Sequence, residues 1–268
     1  MLLIKNFFSF LLLPIKRGEL FLELIKIHYK KSYGDSILKY FWVFFHQIFL
    51  ILFYSFIFNY FMKFSSNFNL NYDYSIYIIS GLIQWFFFID ILSNYDLLKK
   101  NKDYLIKKIF PFEIIFFVSL VISMIPFLTN IIVLMFIIYF KYQNLHFEII
   151  YLPFYFIFLM LFALGILIIF SLLNLLLKDF KEFLRIFIII GMFISPIIYM
   201  PNFNIPILDT IIMMNPFSYF ITFFKDIVFY GGIDINITAL MVFLLSIISS
   251  FSSFLIFSKF KDRVREWL

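Results

Sequence analysis

The residues of this chain best suited to chemistry sit inside apolar sequence. His46 and Gln47 interrupt one apolar run, Gln84 and Asp90 a second, and the pair Lys225-Asp226 a third. An aspartate at the centre of a membrane span costs about 2.5–3.5 kcal/mol on insertion scales, so each such group is a functional candidate. If the first two runs are antiparallel helices rising ~1.5 Å per residue, His46 and Asp90 lie at similar depths. They suit a structural pair or a water-facing Asp better than a proton relay, which needs more groups than three histidines supply. No H-E-x-x-H, G-x-S-x-G or G-x-x-x-x-G-K sequence occurs, so the metalloprotease, serine-hydrolase and P-loop chemistries have no carrier. The chain has no cysteine, which excludes disulfides, thiolate catalysis and thiolate metal sites. Seven glycines do not build a nucleotide-binding loop. The chain is therefore expected not to be an enzyme and to hold no metal or cofactor. If it uses ATP and Mg, another chain binds them.

The elements that carry these residues follow from composition. Of 268 residues, 64% are hydrophobic and 14% charged, against about 25% charged in soluble domains. Such a chain needs lipid as part of its solvent and reads as an integral membrane protein. The run at residues 7–15 is too short to span and lacks a small-residue cleavage site, so it reads as interfacial rather than as a signal peptide. Six stretches reach the ~20 residues a span requires: 41–62, 75–98, 111–140, 149–177, 183–200 and 235–257. Basic residues orient them. Seven Lys/Arg precede the first span, five fill the second-to-third loop, three the fourth-to-fifth loop and four the tail; only Lys63, Lys141 and Lys225 fall elsewhere. Both termini are thus expected to be cytoplasmic. The expected organisation is a cytoplasmic N-terminus at 1–40, a six-helix domain at 41–258 and a cytoplasmic tail at 259–268.

Residues 205–232 are too apolar for an open loop, yet a single crossing would turn the basic tail outward. A segment that dips in from the outer face and returns satisfies both constraints. Asn215-Pro216 breaks it, because proline disfavours helix in the preceding residue, and Gly231-Gly232 supplies the exit turn. Two short helices are expected, near 206–213 and 216–229. Lys225 is expected to anchor the second at the outer headgroups.

Three further segments have a pattern. Glu19, Glu23, Lys26 and Lys30 recur at helical spacing opposite Leu20, Leu24 and Ile27, with Lys31 following. This is an amphipathic helix, read as lying in the interface, with packing on protein as the alternative. The loop KKNKDYLIKKIFPFE, 99–113, holds Lys102, Tyr104, Leu105, Lys107 and Lys108 and ends on Pro111. A short helix over 104–109 would present Leu105 and Ile109 to a cytoplasmic partner; alternatively the lysines only set topology and touch anionic lipid. Trp42, Phe45, Phe49, Phe53, Phe56 and Tyr60 fall on one helical face. That stripe suits sugar stacking or a conduit wall, and equally lipid or packing.

Taken in order, these features resemble the membrane subunits of type-2 ABC exporters, in the group that exports lipid-linked polysaccharides such as O-antigen, capsule and teichoic acid. The resemblance rests on HYKKSYGDSILKYFW at 28–42, GLIQWFFF at 81–88, LIKKIFPFEII at 105–115 and NLLLKDF at 174–180. SPIIYMP at 195–201 and NPFSYFITFFKDIVFYGG at 215–232 are the most specific. His28, Lys178 and Lys225 stand where that family commonly has arginine, and lysine keeps the charge without the bidentate fork.

The resemblance implies an all-helical protein in the cytoplasmic membrane: six spans, an N-terminal interfacial helix and a re-entrant hairpin. It implies a dimer of two copies, joined to two copies of a separate ABC ATPase that binds ATP and Mg. Coupling would run through Lys102, Tyr104, Leu105, Lys107, Lys108 and Pro111. The lipid-linked glycan would pass a conduit lined by Phe49, Phe53, Phe56, Tyr60 and Tyr199, and by the re-entrant Asn215, Pro216, Tyr219, Phe223, Lys225 and Asp226. Lys26, Lys30, Lys31 and Trp42 would help admit the lipid headgroup. An exporter of a drug or lipid with the same fold is the alternative. A secondary transporter or membrane-embedded glycan enzyme is less favoured, because no internal repeat is evident.

Overall fold

The computed structural model describes residues 2–33, 74–105, 110–143, 147–199, 206–230 and 237–267, with a few positions between 45 and 57. Every regular element among them is helical. We label the principal helices α1 (Leu2–Leu11), α2 (Gly18–Tyr33), α3 (Tyr74–Ser93), α4 (Glu113–Tyr142), α5 (Leu152–Leu176), α6 (Phe180–Ile194), α7 (Pro206–Met214), α8 (Pro216–Lys225) and α9 (Ile237–Trp267).

Four helical stretches among the described residues are long and apolar enough to cross a membrane: Tyr74–Ser93, Glu113–Tyr142, Ile149–Leu176 and Ile237–Val264. They match the second, third, fourth and sixth expected spans, and the chain is an integral membrane protein. The first expected span, 41–62, lies largely outside the described residues. The fifth differs from expectation. Its helix α6 starts at Phe180 and stops at Ile194 after 15 residues, or about 22 Å at ~1.5 Å per residue, well under a ~30 Å hydrocarbon core. The stop is chemical: Ser195 precedes Pro196 and is driven to extended backbone, with ψ 144°.

Buriedness follows pattern. Helix α3 is apolar all round and is enclosed, packing on α4, α5 and α8. Helices α5 and α9 form the most extensive pair. They approach so closely that a Cβ on Gly165 would meet the backbone carbon of Ser249 at 2.6 Å. Ser246, Ser250 and Ser253 lie buried on the same helix, their hydroxyls turned to carbonyls one turn back. Small residues with internally satisfied hydroxyls are what close packing in lipid requires.

The amphipathic helix of the N-terminus is α2. Leu24 is buried and the helix packs on α4, while Glu19, Glu23, Lys26 and Lys30 face outward and Leu22 and Ile27 remain exposed. Its apolar side thus meets protein as well as the exterior. Helix α1 rests on α9 through Phe7, whose ring stands 5.4 Å from Phe251 and 5.5 Å from Phe254.

The segment after α6 folds as two short helices that break where Asn215-Pro216 predicts. Asn215 is extended, ψ 113°, and its side-chain oxygen accepts the Phe217 N–H at 3.1 Å. The second helix is α-helical only to Lys225 and continues as a π turn over Asp226–Tyr230. Gly231-Gly232, read as the exit turn, lies outside the described residues.

Candidate functional site

The turn at residues 195–199 has no helix or strand to pair its carbonyls, and it is buried at Ser195, Pro196, Ile197 and Ile198. Buried carbonyls must find donors. Four consecutive ones do, all from side chains on other elements. Lys225 Nζ donates to Pro196 O at 2.8 Å and to Ile197 O at 2.9 Å. The Tyr74 hydroxyl donates to Ile198 O at 2.5 Å, and that of Tyr77 to Tyr199 O at 3.2 Å. Asn215 Nδ2 donates to Ser195 Oγ at 2.9 Å. The Tyr199 hydroxyl turns back to the last carbonyls of α6, at 2.9 Å from Phe193 O and 2.6 Å from Ile194 O.

Lys225 is the electrostatic centre of this clasp. It is 2% exposed, and its Nζ sits 3.4 Å from the centroid of the Tyr77 ring. An ammonium shut away from water needs several favourable contacts to stay. Two carbonyl dipoles and an aromatic face supply them. Asp226 follows in sequence and accepts from Thr238 at 3.4 Å, tying the π turn to the start of α9. Beneath the turn, a Cβ on Gly81 would meet Ile197 Cα at 3.0 Å, and one on Gly191 would meet the Trp85 ring at 2.5 Å. Glycine at these positions lets the turn and α6 close on α3.

Below the clasp, Tyr155 of α5 joins α3 to α8. Its hydroxyl lies 2.6 Å from Gln84 Oε1 and 3.3 Å from Phe220 O, and all three residues are buried. A hydroxyl has one proton, which the shorter contact takes. Rings surround this bridge, with Phe162 stacked on Phe220 at 4.3 Å and Phe88 edge-on to Phe217 at 4.7 Å. Beside it an apolar cavity of about 470 Å³ opens between α5, α6 and the hairpin, bounded by Phe162, Phe187, Gly191, Ile211 and Pro216.

At the other end of α3 a second cluster forms. The loop after it runs through helical turns at Leu97–Lys100 and Lys102–Leu105. Leu97, Leu98 and Leu105 are buried beneath it, and Asn101 donates to Leu97 O at 2.9 Å. Lys99 Nζ reaches Asn174 Oδ1 at 3.4 Å, and the rings of Tyr95 and Phe180 stand 6.3 Å apart. Gly81 and Trp85 of the 81–88 motif therefore meet the 195–199 turn and α6, Asn215 and Lys225 of the hairpin reach the same turn, and Lys99 of the basic loop meets Asn174 of NLLLKDF beyond the far end of α3.

These interlocked motifs are the ones that carry the resemblance to polysaccharide-export permeases, and a comparison with known proteins agrees with it. Over 242 residues, 89% of this chain and 91% of its relative, the sequence is 26% identical to the O-antigen export system permease protein RfbA of Klebsiella pneumoniae. The chain is a relative of an O-antigen export permease. No family model matches it.

The structure brings some site residues of this permease relative together and separates others. Asn215, Lys225, Tyr199 and Asp226 join the clasp or its flank. Lys225 corrects an expectation: it points into the protein at carbonyls rather than outward to headgroups. Pro216 starts α8, with Tyr219 and Phe223 partly buried along it; the Phe223 ring lies 6.0 Å from that of Tyr155. Leu105 also departs from the docking picture. It is 0% exposed and holds the loop from beneath, while Lys102 and Tyr104 face outward and Pro111 is half-buried. Phe45, Phe49 and Phe53 stack in series at 6.1 and 6.4 Å, and with Phe56 they are exposed on this single chain. Lys26 and Lys30 are exposed on α2. Trp42, His46, Gln47, Tyr60, Lys107, Lys108 and the side chain of Lys31 lie outside the described residues, so the proposed pairing of His46 with Asp90 does too.

Sequence reasoning missed Tyr74, Tyr77 and Tyr155. Tyr74 and Tyr77 are three apart at the start of a span, with Ser80 three further on, so three hydroxyls share one helical face. That was the available signal. Nothing in the sequence singles out Tyr155.

Proposed function

We propose that this chain is the membrane subunit of an ATP-driven ABC exporter that moves a lipid-linked polysaccharide, of O-antigen, capsular or teichoic-acid type, across the cytoplasmic membrane. Two copies form the conduit and two copies of a separate ATPase bind ATP and Mg. Both termini are cytoplasmic, with six crossings, the fifth made by the short α6 together with the buried 195–199 turn beyond its end, and a hairpin, α7–α8, that enters from the outer face without crossing. The observation that carries this reading is the likeness to an O-antigen export permease along nine-tenths of both chains.

The geometry supports a division of labour. The basic loop, stiffened by buried Leu97, Leu98 and Leu105, presents Lys102 and Tyr104 to the ATPase. Helix α6 leaves Phe183, Ile186, Ile189 and Phe193 exposed along its length, an apolar face for the second copy and the conduit. The outward Phe49, Phe53 and Phe56 offer sugar-stacking surfaces. The test is deletion of the gene in its native host. Lipid-linked glycan is expected to accumulate on the cytoplasmic side, with restoration by the wild-type chain; normal surface glycan in the deletion strain overturns the proposal.

A further inference from the structure

A cleft of about 350 Å³ lies between α1, the start of α4 and the far end of α9, away from the clasp and beside the last residue of the basic loop, Glu113. Its position along α9 places it in the headgroup layer. From Ile237 to Lys261 the helix rises about 36 Å at ~1.5 Å per residue, beyond a ~30 Å hydrocarbon core. Lys261 Nζ lies 2.5 Å from Glu113 Oε1, with the two side chains 38% and 16% exposed. Asn6, Ser9 and Ser258 add polar groups to the wall. Lys16 Nζ donates to one of these wall groups, Ser9 Oγ, at 2.8 Å. The floor is apolar, with Phe10 and Phe257 both buried.

This combination has a specific chemistry. Two ammonium groups suit a phosphate. One carboxylate, itself half satisfied by Lys261, suits a cation that can donate hydrogen bonds. A purely anionic headgroup would leave Glu113 facing like charge, and a quaternary ammonium would offer it no N–H. Beside the cleft, α1 turns Ile4 and Phe8 outward, 55% and 58% exposed, and the helical turn Leu13–Lys16 after it turns out Ile15, 78% exposed, a surface along which acyl chains can continue from a headgroup held in the cleft. We propose that the α1–α4–α9 cleft binds the headgroup of an ethanolamine phospholipid, its phosphate on Lys261 and Lys16 and its primary ammonium on Glu113, so that a bilayer lipid staples α1 onto the transmembrane domain.

The experiment uses the purified full-length chain in nanodiscs, with bound lipid counted by native mass spectrometry. The lipids are phosphatidylethanolamine, its N-methyl and N,N-dimethyl forms, phosphatidylcholine and phosphatidylglycerol, matched in acyl chains. Retention is expected to fall with each methyl, reaching about tenfold between ethanolamine and choline, the scale of one charge-assisted hydrogen bond. Glu113→Gln is expected to bring that ratio close to one while sparing phosphatidylglycerol, and Lys261→Met to lower retention of every lipid. The methyl series needs no variant, so a misfolded mutant does not blunt the test. Soluble glycerophosphoethanolamine is expected not to displace the lipid at equal concentration; displacement would overturn the lipid source. Equal retention of phosphatidylethanolamine and phosphatidylcholine by the wild-type chain, or a preference that survives Glu113→Gln, would overturn the site.

Discussion

Replacing Lys225 by methionine tests the clasp directly, because Met keeps the length and apolar stem and removes only the ammonium. The loss can be worked from the contacts. Two charge-assisted hydrogen bonds, to Pro196 O and Ile197 O, contribute about 1.5–3 kcal/mol each. The Tyr77 face at 3.4 Å adds about 2 kcal/mol in a desolvated setting. Against this stands the cost of holding an ammonium out of water, several kcal/mol, which the variant no longer bears. The two carbonyls left without that donor are the same two hydrogen bonds seen from the acceptor side, so they add no further amount. The net loss is then about 2–4 kcal/mol. At 2–4 °C per kcal/mol for a chain of this size, the unfolding midpoint should fall by about 5–15 °C.

The assay is thermal unfolding of the purified chain, paired with surface glycan measured in a strain that depends on it. A clasp predicts that both fall together and that Lys225→Arg recovers part of each, since a guanidinium donates to carbonyls but is bulkier. If Lys225→Met leaves the midpoint unchanged, the contacts carry no net stability and the argument fails. If export alone falls at full stability, the ammonium serves the substrate instead, and the clasp reading is wrong in a different way.

Other perturbations follow the same contacts. Tyr155→Phe strips the donor from buried Gln84 Oε1 and should cost about 1–2 kcal/mol, seen as a lower unfolding midpoint that Gln84→Leu partly restores in the double variant. Gly165→Val drives a side chain into the Ser249 backbone, 2.6 Å from its Cβ, and should separate α5 from α9 at about 3 kcal/mol or more; monodisperse protein on size exclusion would contradict this. Asn215→Ala removes the α8 cap and the Ser195 contact, for about 2 kcal/mol together, with Asn215→Asp keeping the cap. Lys107→Glu with Lys108→Glu should abolish co-purification of the ATPase without lowering the unfolding midpoint, whereas Leu105→Ala should lower it by weakening the packing under the loop.

The long helices were legible because lipid imposes a simple rule: about 20 apolar residues make a span, and proline with asparagine or serine marks where a helix ends. That rule placed α3, α4, α5 and α9 and the break at Asn215-Pro216. It overran at 195–199, because apolarity continues through Ser195-Pro196 after helical backbone has stopped. It also misjudged Leu105 and Lys225. Periodicity tells which residues share a face and not what stands opposite. A leucine among lysines reads as a docking surface until the fold covers it, and a lone lysine in an aromatic run reads as a headgroup anchor until two carbonyls are found within reach. The clasp was least legible of all. Its acceptors are backbone carbonyls, which every residue has, and two of its donors, Tyr74 and Tyr77, lie more than 120 positions away.

The two clusters acquire a common meaning from the helix between them. Helix α3 is 20 residues long, about 30 Å at ~1.5 Å per residue, and almost wholly enclosed. Its first turn donates to Ile198 O and Tyr199 O, and its last turn leads into the loop that leans on Asn174 through Lys99. A buried rod packed at crystal-like density does not bend to absorb a push at one end. Under the proposed function, ATPase closure acts on the loop. Displacement of α3 along its axis then reaches the 195–199 turn through Tyr74 and Tyr77, and reaches α8 through Lys225, which shares that turn. The turn that ends α6 holds the hairpin through Pro196 O and Ile197 O and holds α3 through Ile198 O and Tyr199 O, so all three move together or the clasp breaks. On that proposal the clasp serves export by making the C-terminal end of α6 and the hairpin one body.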